Sequence, residues 1–137
     1  CFTAVGAIID ALRTLGARTV SIASPYSDAI DHAERLFFEG AGFRVSGTAN
    51  LGIADGFALA SPTPAEIYEL ARRAWNDDAD VLLISCLNMN SQAVVDLLER
   101  KAGRPVITST TATLWKLLRT AGVGDRIEGY GRLLASH

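Results

Sequence analysis

Four short apolar runs alternate with segments of helical period, and that alternation leaves few folds open to the chain. The runs are TVSIA (19–23), FRVSGTANL (43–51), DVLLIS (80–85) and PVITS (105–109). DVLLIS is apolar without a break from Val81 to Ile84, the pattern of a strand covered on both faces. Between the runs, SDAIDHAERLFFEGAGF (27–43), AEIYELARRAWN (65–76), SQAVVDLLERKAG (91–103) and TATLWKLLRTAG (111–122) repeat apolar residues three and four apart. FTAVGAIIDALRTLG (2–16) does the same ahead of the first run. Gly16, Gly40, Gly42, Gly103 and Gly122 mark where these helices stop. Ser27 reads as an N-cap, and Thr63-Pro64-Ala65-Glu66 predicts a capping box with Pro at the first helical position. ADGFALASP (54–62) reads as loop, and VGDRIEGYGRLLASH (123–137) as a weakly patterned tail. Each strand is followed by a connection long enough to hold a helix, so the strands run parallel. The fold class is therefore α/β: a Rossmann-like, four-stranded parallel sheet with helices on both faces.

Bulk properties remove several classes of function. A chain of 137 residues suits one domain with a real core. Net charge is −2 and no basic cluster occurs, so a nucleic-acid partner is not expected. No apolar run approaches the ~18 residues of a membrane span, and no basic segment leads into an apolar one at the N-terminus. Two cysteines make no disulfide framework, which points to a reducing cytoplasm. Two His and two Cys lie far apart without ligand spacing, so no metal is expected. GVGDRIEG does not join a strand to a helix and is no dinucleotide fingerprint; neither GxxxxGK[ST] nor GxSxG occurs.

In a parallel sheet of this kind the ligand crevice lies at the carboxyl ends of the strands. Those ends fall at 23–26, 50–56, 85–88 and 108–111, and one carries a thiol, Cys86. A cysteine at a strand end is often only a small buried hydrophobe. Here it precedes a helix expected to be capped by Asn90 or Ser91, where backbone N–H groups and the helix dipole would favour a thiolate and bind a carboxylate. Tyr26 leaves the first strand in ASPYSD, its turn stiffened by Pro25, and reads equally as a packed ring or as a phenol that donates to a substrate carboxylate. Asn88 is either a turn former or an amide donor. Thr108 and Ser109 read first as a helix cap. His32, four residues after Asp28, reads as solvated or paired with that Asp. Tyr68, Trp75 and Trp115 read as core.

An internal echo accompanies these elements. Leu12-Arg13-Thr14-Leu15-Gly16 reappears as Leu118-Arg119-Thr120-Ala121-Gly122, 106 positions on, and at that offset Thr3 faces Ser109. Residues 1–16 thus read as the end of a first unit, 17–122 as a second α/β unit carrying Cys86, and 123–137 as a tail returning toward the first. At the same offset Cys1 falls opposite Ile107, so it is not the counterpart of Cys86.

At these residues the sequence resembles the aspartate/glutamate racemase superfamily, in its branch of maleate cis-trans isomerases and arylmalonate decarboxylases. ALRTLGARTVSIASPY, FFEGAGFRV, NLGIADG, SPTPAEIYELARRAW, VLLISCLNMNS, GRPVITSTTATLWKLLRTAGV and GYGRLL carry the resemblance, in family order along nearly the whole chain. It implies one lobe of a pseudo-symmetric, two-lobe enzyme that uses no metal or organic cofactor. Cys86 is similar to the second-lobe cysteine, nucleophile or proton donor and acceptor. Tyr26 is similar to a tyrosine that contacts substrate carboxylate, and Leu87 and Asn88 stand in the turn whose amides help bind it. Gly56 stands where isomerase-like members often carry Asn after the Asp, which speaks against an isomerase. Leu87 stands where amino-acid racemases carry Thr, which speaks against amino-acid substrates. The implied function is isomerase- or racemase-type chemistry on a small dicarboxylate, in the manner of maleate isomerase. Two alternatives stand beside it: an arylmalonate decarboxylase with Cys86 as sole proton donor, and a non-catalytic lobe that binds an anion or a partner. The implied partners are the substrate, the first lobe of the same enzyme and further copies in a homo-oligomer.

Overall fold

The computed structural model describes residues 1–137. Its elements are α1 (Ala4–Thr14), β1 (Thr19–Ser24), α2 (Asp28–Gly40), β2 (Arg44–Asn50), a 3-10 turn (Gly56–Ala60), α3 (Pro64–Ala74), β3 (Val81–Ile84), a second 3-10 turn (Ser91–Val94), α4 (Val95–Ala102), β4 (Val106–Thr108), α5 (Ser109–Thr120) and α6 (Arg132–Ser136). The strands lie in the order β2-β1-β3-β4 and every pairing is parallel. The expected α/β sheet of four parallel strands is what the chain forms.

Two apolar clusters sandwich the sheet. One joins Ile8, Leu12, Phe38, Trp115, Leu133 and Leu134 beneath one face; the other joins Ile67, Leu70, Val95 and Leu98 beneath the opposite face. Along β3, Val81 and Leu83 enter the first cluster, and Leu82 and Ile84 the second. All four are at most 1% exposed, which is why the run carries no polar alternation. The starts of β1 and β3 are pinned by Asp80, whose carboxylate accepts the N–H groups of Arg18 and Thr19 at 3.0 Å each. Those two bonds hold its pKa below the ordinary carboxylate value. α1 shares one core with β1 and packs on α5, the helix that echoes its sequence. No helix is long and apolar enough to cross a membrane.

Side-chain caps start three of the six α-helices. The Thr3 hydroxyl accepts from Gly6 N–H, and Thr108 and Thr111 form a reciprocal box at α5. At α3 the Thr63 hydroxyl accepts from Glu66 N–H at 3.2 Å, but it also donates to the Glu66 carboxylate, so only half of the expected box forms. Ser27 occupies its cap position without a side-chain bond.

Three segments depart from expectation. Residues 54–62 are not plain loop: the Asp55 carboxylate accepts from Phe57 N–H at 2.9 Å and starts a 3-10 turn. The helix expected from 91 begins as a 3-10 turn and becomes α-helical only at Val95. The weakly patterned tail ends in a short helix, α6, whose Leu133 and Leu134 are each 1% exposed. The buried Glu99 carboxylate accepts from Val106 N–H at 2.9 Å and from Arg132 N–H at 2.9 and 3.0 Å, stitching α4, β4 and the tail together. Arg119 adds bonds to the carbonyls of Val123, Asp125 and His137.

Gly131 makes that stitch possible. Its φ is 93°, and a Cβ there would stand 2.8 Å from Val95 Cγ1 and 3.0 Å from Glu99 Oε1. Gly124, in the same tail, has open space around it and no such φ. Gly131→Ala should therefore cost about 1–3 kcal/mol of stability, read by urea unfolding, with Gly124→Ala nearly neutral. Equal midpoints for the two variants would show that the tail does not depend on this close approach.

Candidate active site

The strand order places the carboxyl ends of β1, β3 and β4 side by side. β1 continues into Pro25 and Tyr26, β3 into Ser85 to Asn88, and β4 directly into Ser109 of α5. Between these ends and the faces of α1 and α2 lies an open cavity of about 540 Å³. Tyr26, Glu34, Ser85, Cys86, Asn88 and Ser109 supply its polar lining. Val5, Ile8, Ile30, Phe37, Leu59 and Leu87 supply its apolar walls.

Cys86 sits where the chain leaves the sheet. Ser85 still extends the ladder, donating to Ala23 at 2.8 Å. The next residue turns to φ 118°, and Cys86 is the only non-glycine residue with positive φ. Such a backbone costs about 1–3 kcal/mol and persists only where its surroundings hold it. The holding contact is buried: Cys86 N–H donates to Ser109 Oγ at 3.0 Å. The thiol is 4% exposed and faces the cavity, whereas Cys1 is exposed and lies outside it; both cysteines are free.

The expected helix start beside Cys86 is absent. Asn90 makes no side-chain cap bond, and α4 begins only at Val95, so the terminus of α4 does not meet the thiol. The donors nearby are instead turn amides. Cys86 N–H is already engaged by Ser109, but the amides of Leu87 and Asn88 donate to no protein acceptor. Successive free N–H groups of this kind form an anion-binding concavity.

Tyr26 is half-buried beside the thiol. Its carbonyl accepts from Gly52 N–H at 3.0 Å, and that of Pro25 from Ile53 N–H at 2.9 Å, so the segment after β2 fixes the turn. Burial pushes the Tyr26 pKa far above the ordinary phenol value, with further pushes from the Cys86 thiol and the Glu34 charge; Ser85 acts in the opposite direction. The ring therefore presents an O–H donor.

Glu34 escaped the sequence reading. Burial raises its carboxyl pKa above the ordinary value, and the Asp31 charge adds to this; only the nearby Ser85 hydroxyl lowers it. Ser85 lies near enough to ease the charge, yet no group meets Glu34 Oε2 at hydrogen-bonding geometry, although that atom is buried. A signal was present: Glu34 follows Ile30 by four residues and precedes Phe37 by three, a carboxyl set into the apolar stripe of α2.

Other expected residues lie elsewhere. Gly56 is exposed at the start of its 3-10 turn and does not line the cavity, to which that loop contributes Leu59. Pro25 is buried behind Tyr26. His32 is exposed and makes no ion pair with Asp28, which accepts instead from Asn50 at 2.9 Å. Thr108 is consumed by its capping box, whereas Ser109 belongs to the cavity. No three His, Cys, Asp or Glu side chains converge to hold a metal ion.

Comparison with known proteins adds independent information. The family model described as arylmalonate decarboxylase matches residues 1–134. The chain is 33% identical over 136 residues to the arylmalonate decarboxylase of Bordetella bronchiseptica, covering 97% of this chain and 57% of that protein. Among solved structures it is similar to a liganded double mutant of arylmalonate decarboxylase, with a TM-score of 0.94, 31% identity and coverage of 100% of this chain and 60% of that one. It is also similar to a cysteine-to-serine mutant of Nocardia farcinica maleate cis-trans isomerase with a covalently bound succinylcysteine intermediate. There the TM-score is 0.94 and the identity 27%, with coverage of 98% and 55%. The chain thus spans little more than half the length of the relatives it matches.

The strain at Cys86 separates two variants that remove the same thiol. Glycine is at ease at φ 118°, whereas alanine keeps the Cβ that makes it costly. Cys86→Gly should be about 1 kcal/mol more stable than Cys86→Ala by urea midpoint. A more stable alanine variant would mean that the turn relaxes without its thiol.

Proposed function

The chain belongs to the arylmalonate decarboxylase family, and on that premise we propose that it carries the catalytic thiol of a cofactor-independent enzyme acting on a small dicarboxylate. One observation carries the reading: Cys86 is held at φ 118° in a cavity whose nearest donors, a protonated phenol and two unengaged amides, suit a carboxylate. We take the activity to be isomerase-type, similar to that of maleate isomerase. The Cys86 thiolate attacks one alkene carbon of a cis-enedioate and forms a C–S bond. The π pair moves onto the neighbouring carbon and into its carboxylate, where the Tyr26 hydroxyl and the turn amides meet the developing oxyanion. The remaining single bond rotates. The pair then returns, the C–S bond breaks, and the trans product leaves with the thiolate restored. A covalent succinylcysteine in a Nocardia farcinica relative supports thiol addition as the chemistry of the route; there the adduct stands on a cysteine other than the one replaced by serine.

A second reading has an observation of its own. The walls formed by Val5, Ile8, Ile30, Phe37 and Leu59 would suit an aryl substituent, as in an arylmalonate. There the C–C bond to one carboxylate breaks and CO₂ leaves. The electron pair stays as an enediolate under the same donors, and the Cys86 S–H protonates the carbon. Both readings include a first lobe over the open side of the cavity. They differ in the group that lobe sets opposite Cys86: a second acid or base for isomerisation, none for decarboxylation. We place the enzyme in the cytoplasm, where a reducing milieu keeps a reactive thiol free.

The test is Cys86→Ala in the full-length protein, assayed with maleate and with an arylmalonate. Whichever substrate the wild type consumes, turnover should fall by at least ~10²–10⁴-fold, the share of general acid–base chemistry alone. Stability read by urea unfolding should fall by no more than about 1 kcal/mol, because a small side chain facing a cavity is lost. Full activity in the variant would return Cys86 to the role of a buried hydrophobe.

A further inference from the structure

The cavity has an electrostatic problem that its known parts leave open. The dicarboxylate proposed for it carries two negative charges, yet none of the residues that line the cavity is Lys, Arg or His. It does contain one carboxyl, Glu34. If ionised, Glu34 would add a further negative charge in a half-buried space, where like charges repel far more strongly than in water. A carboxylic acid would instead present one more O–H donor among the donors already gathered there. Oε2 of Glu34 is buried without a hydrogen-bond partner, which is the position of a group whose partner is supplied by a ligand.

We propose that Glu34 binds substrate as a neutral acid: its O–H donates to one carboxylate of the dicarboxylate, so that binding takes up a proton. This rests on the dicarboxylate reading above and goes beyond it by assigning a residue and a proton to recognition. The groups facing Glu34 favour the same protonation state. From its own helix comes Asp31, 9% exposed and within 3.4 Å of the Ser24 hydroxyl. From the end of β1 comes Tyr26, a neutral phenol, and from the end of β3 come Ser85 and Cys86. α1 offers only Ala4, Val5 and Ile8, α5 offers Ser109, and the 3-10 turn offers Leu59. None is a cation that would hold a carboxylate ionised. Burial and the Asp31 charge already favour the protonated form.

The sign follows from linkage. A dianion raises the proton affinity of Glu34 further, so the complex keeps its proton to higher pH than the free protein. Between the two titrations, affinity falls about tenfold per pH unit and uptake approaches about one proton per ligand. Malonate is the probe, bound to full-length Cys86→Ala so that the thiol neither reacts nor titrates. Calorimetry in buffers of different ionisation enthalpy, above the second ionisation of malonate, reads the uptake directly. The expected result is a falling affinity with proton uptake in that protein. Adding Glu34→Gln, which keeps a donor but cannot titrate, should leave affinity nearly flat with uptake near zero. Unchanged uptake and pH dependence in the Gln variant would overturn the role of Glu34 alone. If malonate fails to bind either protein, the dicarboxylate reading falls and this proposal with it.

Discussion

A buried hydrogen bond from Cys86 N–H to Ser109 Oγ joins the two halves of the site. It ties the residue leaving β3 to the first residue of α5. Its acceptor is in place because β4 pairs with β3 and ends at Thr108, which immediately caps the helix that Ser109 begins. It is made by the backbone of the one non-glycine residue with positive φ, 118°. The thiol is aimed by that torsion, and the free amides of the following turn are aimed by it as well. Register, cap and torsion form one chain of causes that ends at a sulfur atom in a cavity.

The remainder of the cavity is built from neutral groups. A phenol and a carboxyl, both with raised proton affinity, replace the guanidinium or ammonium that usually meets a carboxylate. Burial does most of this, which makes the apolar walls part of the electrostatics as well as of the shape. A site of this kind recognises an anion by fixed dipoles and shared protons, and a covalent or enediolate intermediate finds the same donors already oriented.

The fold was legible because its strongest signals are local or periodic. The unbroken apolar run of β3, the capping threonines and the glycine stops each report on a few neighbouring residues. Cys86 and Tyr26 were legible as members of adjacent strand ends. What escaped depends on distant partners. Nothing in Cys-Leu-Asn-Met indicates a positive φ, since the constraint comes from Ser109, far along the chain. Glu34 reads as an ordinary exposed helix residue unless the stripe formed by Ile30 and Phe37 is counted against it. α6 contains only two adjacent leucines, too few for a period, and its anchor is Glu99 in another helix. Gly56 was drawn in by resemblance, but its 3-10 turn, started by Asp55, presents Leu59 to the cavity instead.

β3 also sets a gradient of backbone mobility across the site. Val81 to Ile84 are covered on both faces, and Leu82 to Ile84 are paired on both edges, so their amide hydrogens are shielded from solvent. Leu87 and Asn88, a few residues on, are exposed with unengaged amides. Their hydrogens are open to exchange. Cys86 stands at the boundary between shielded strand backbone and exposed turn backbone. A rigid anchor behind the thiol and adaptable donors ahead of it are thus separated by Ser85 and Cys86 alone.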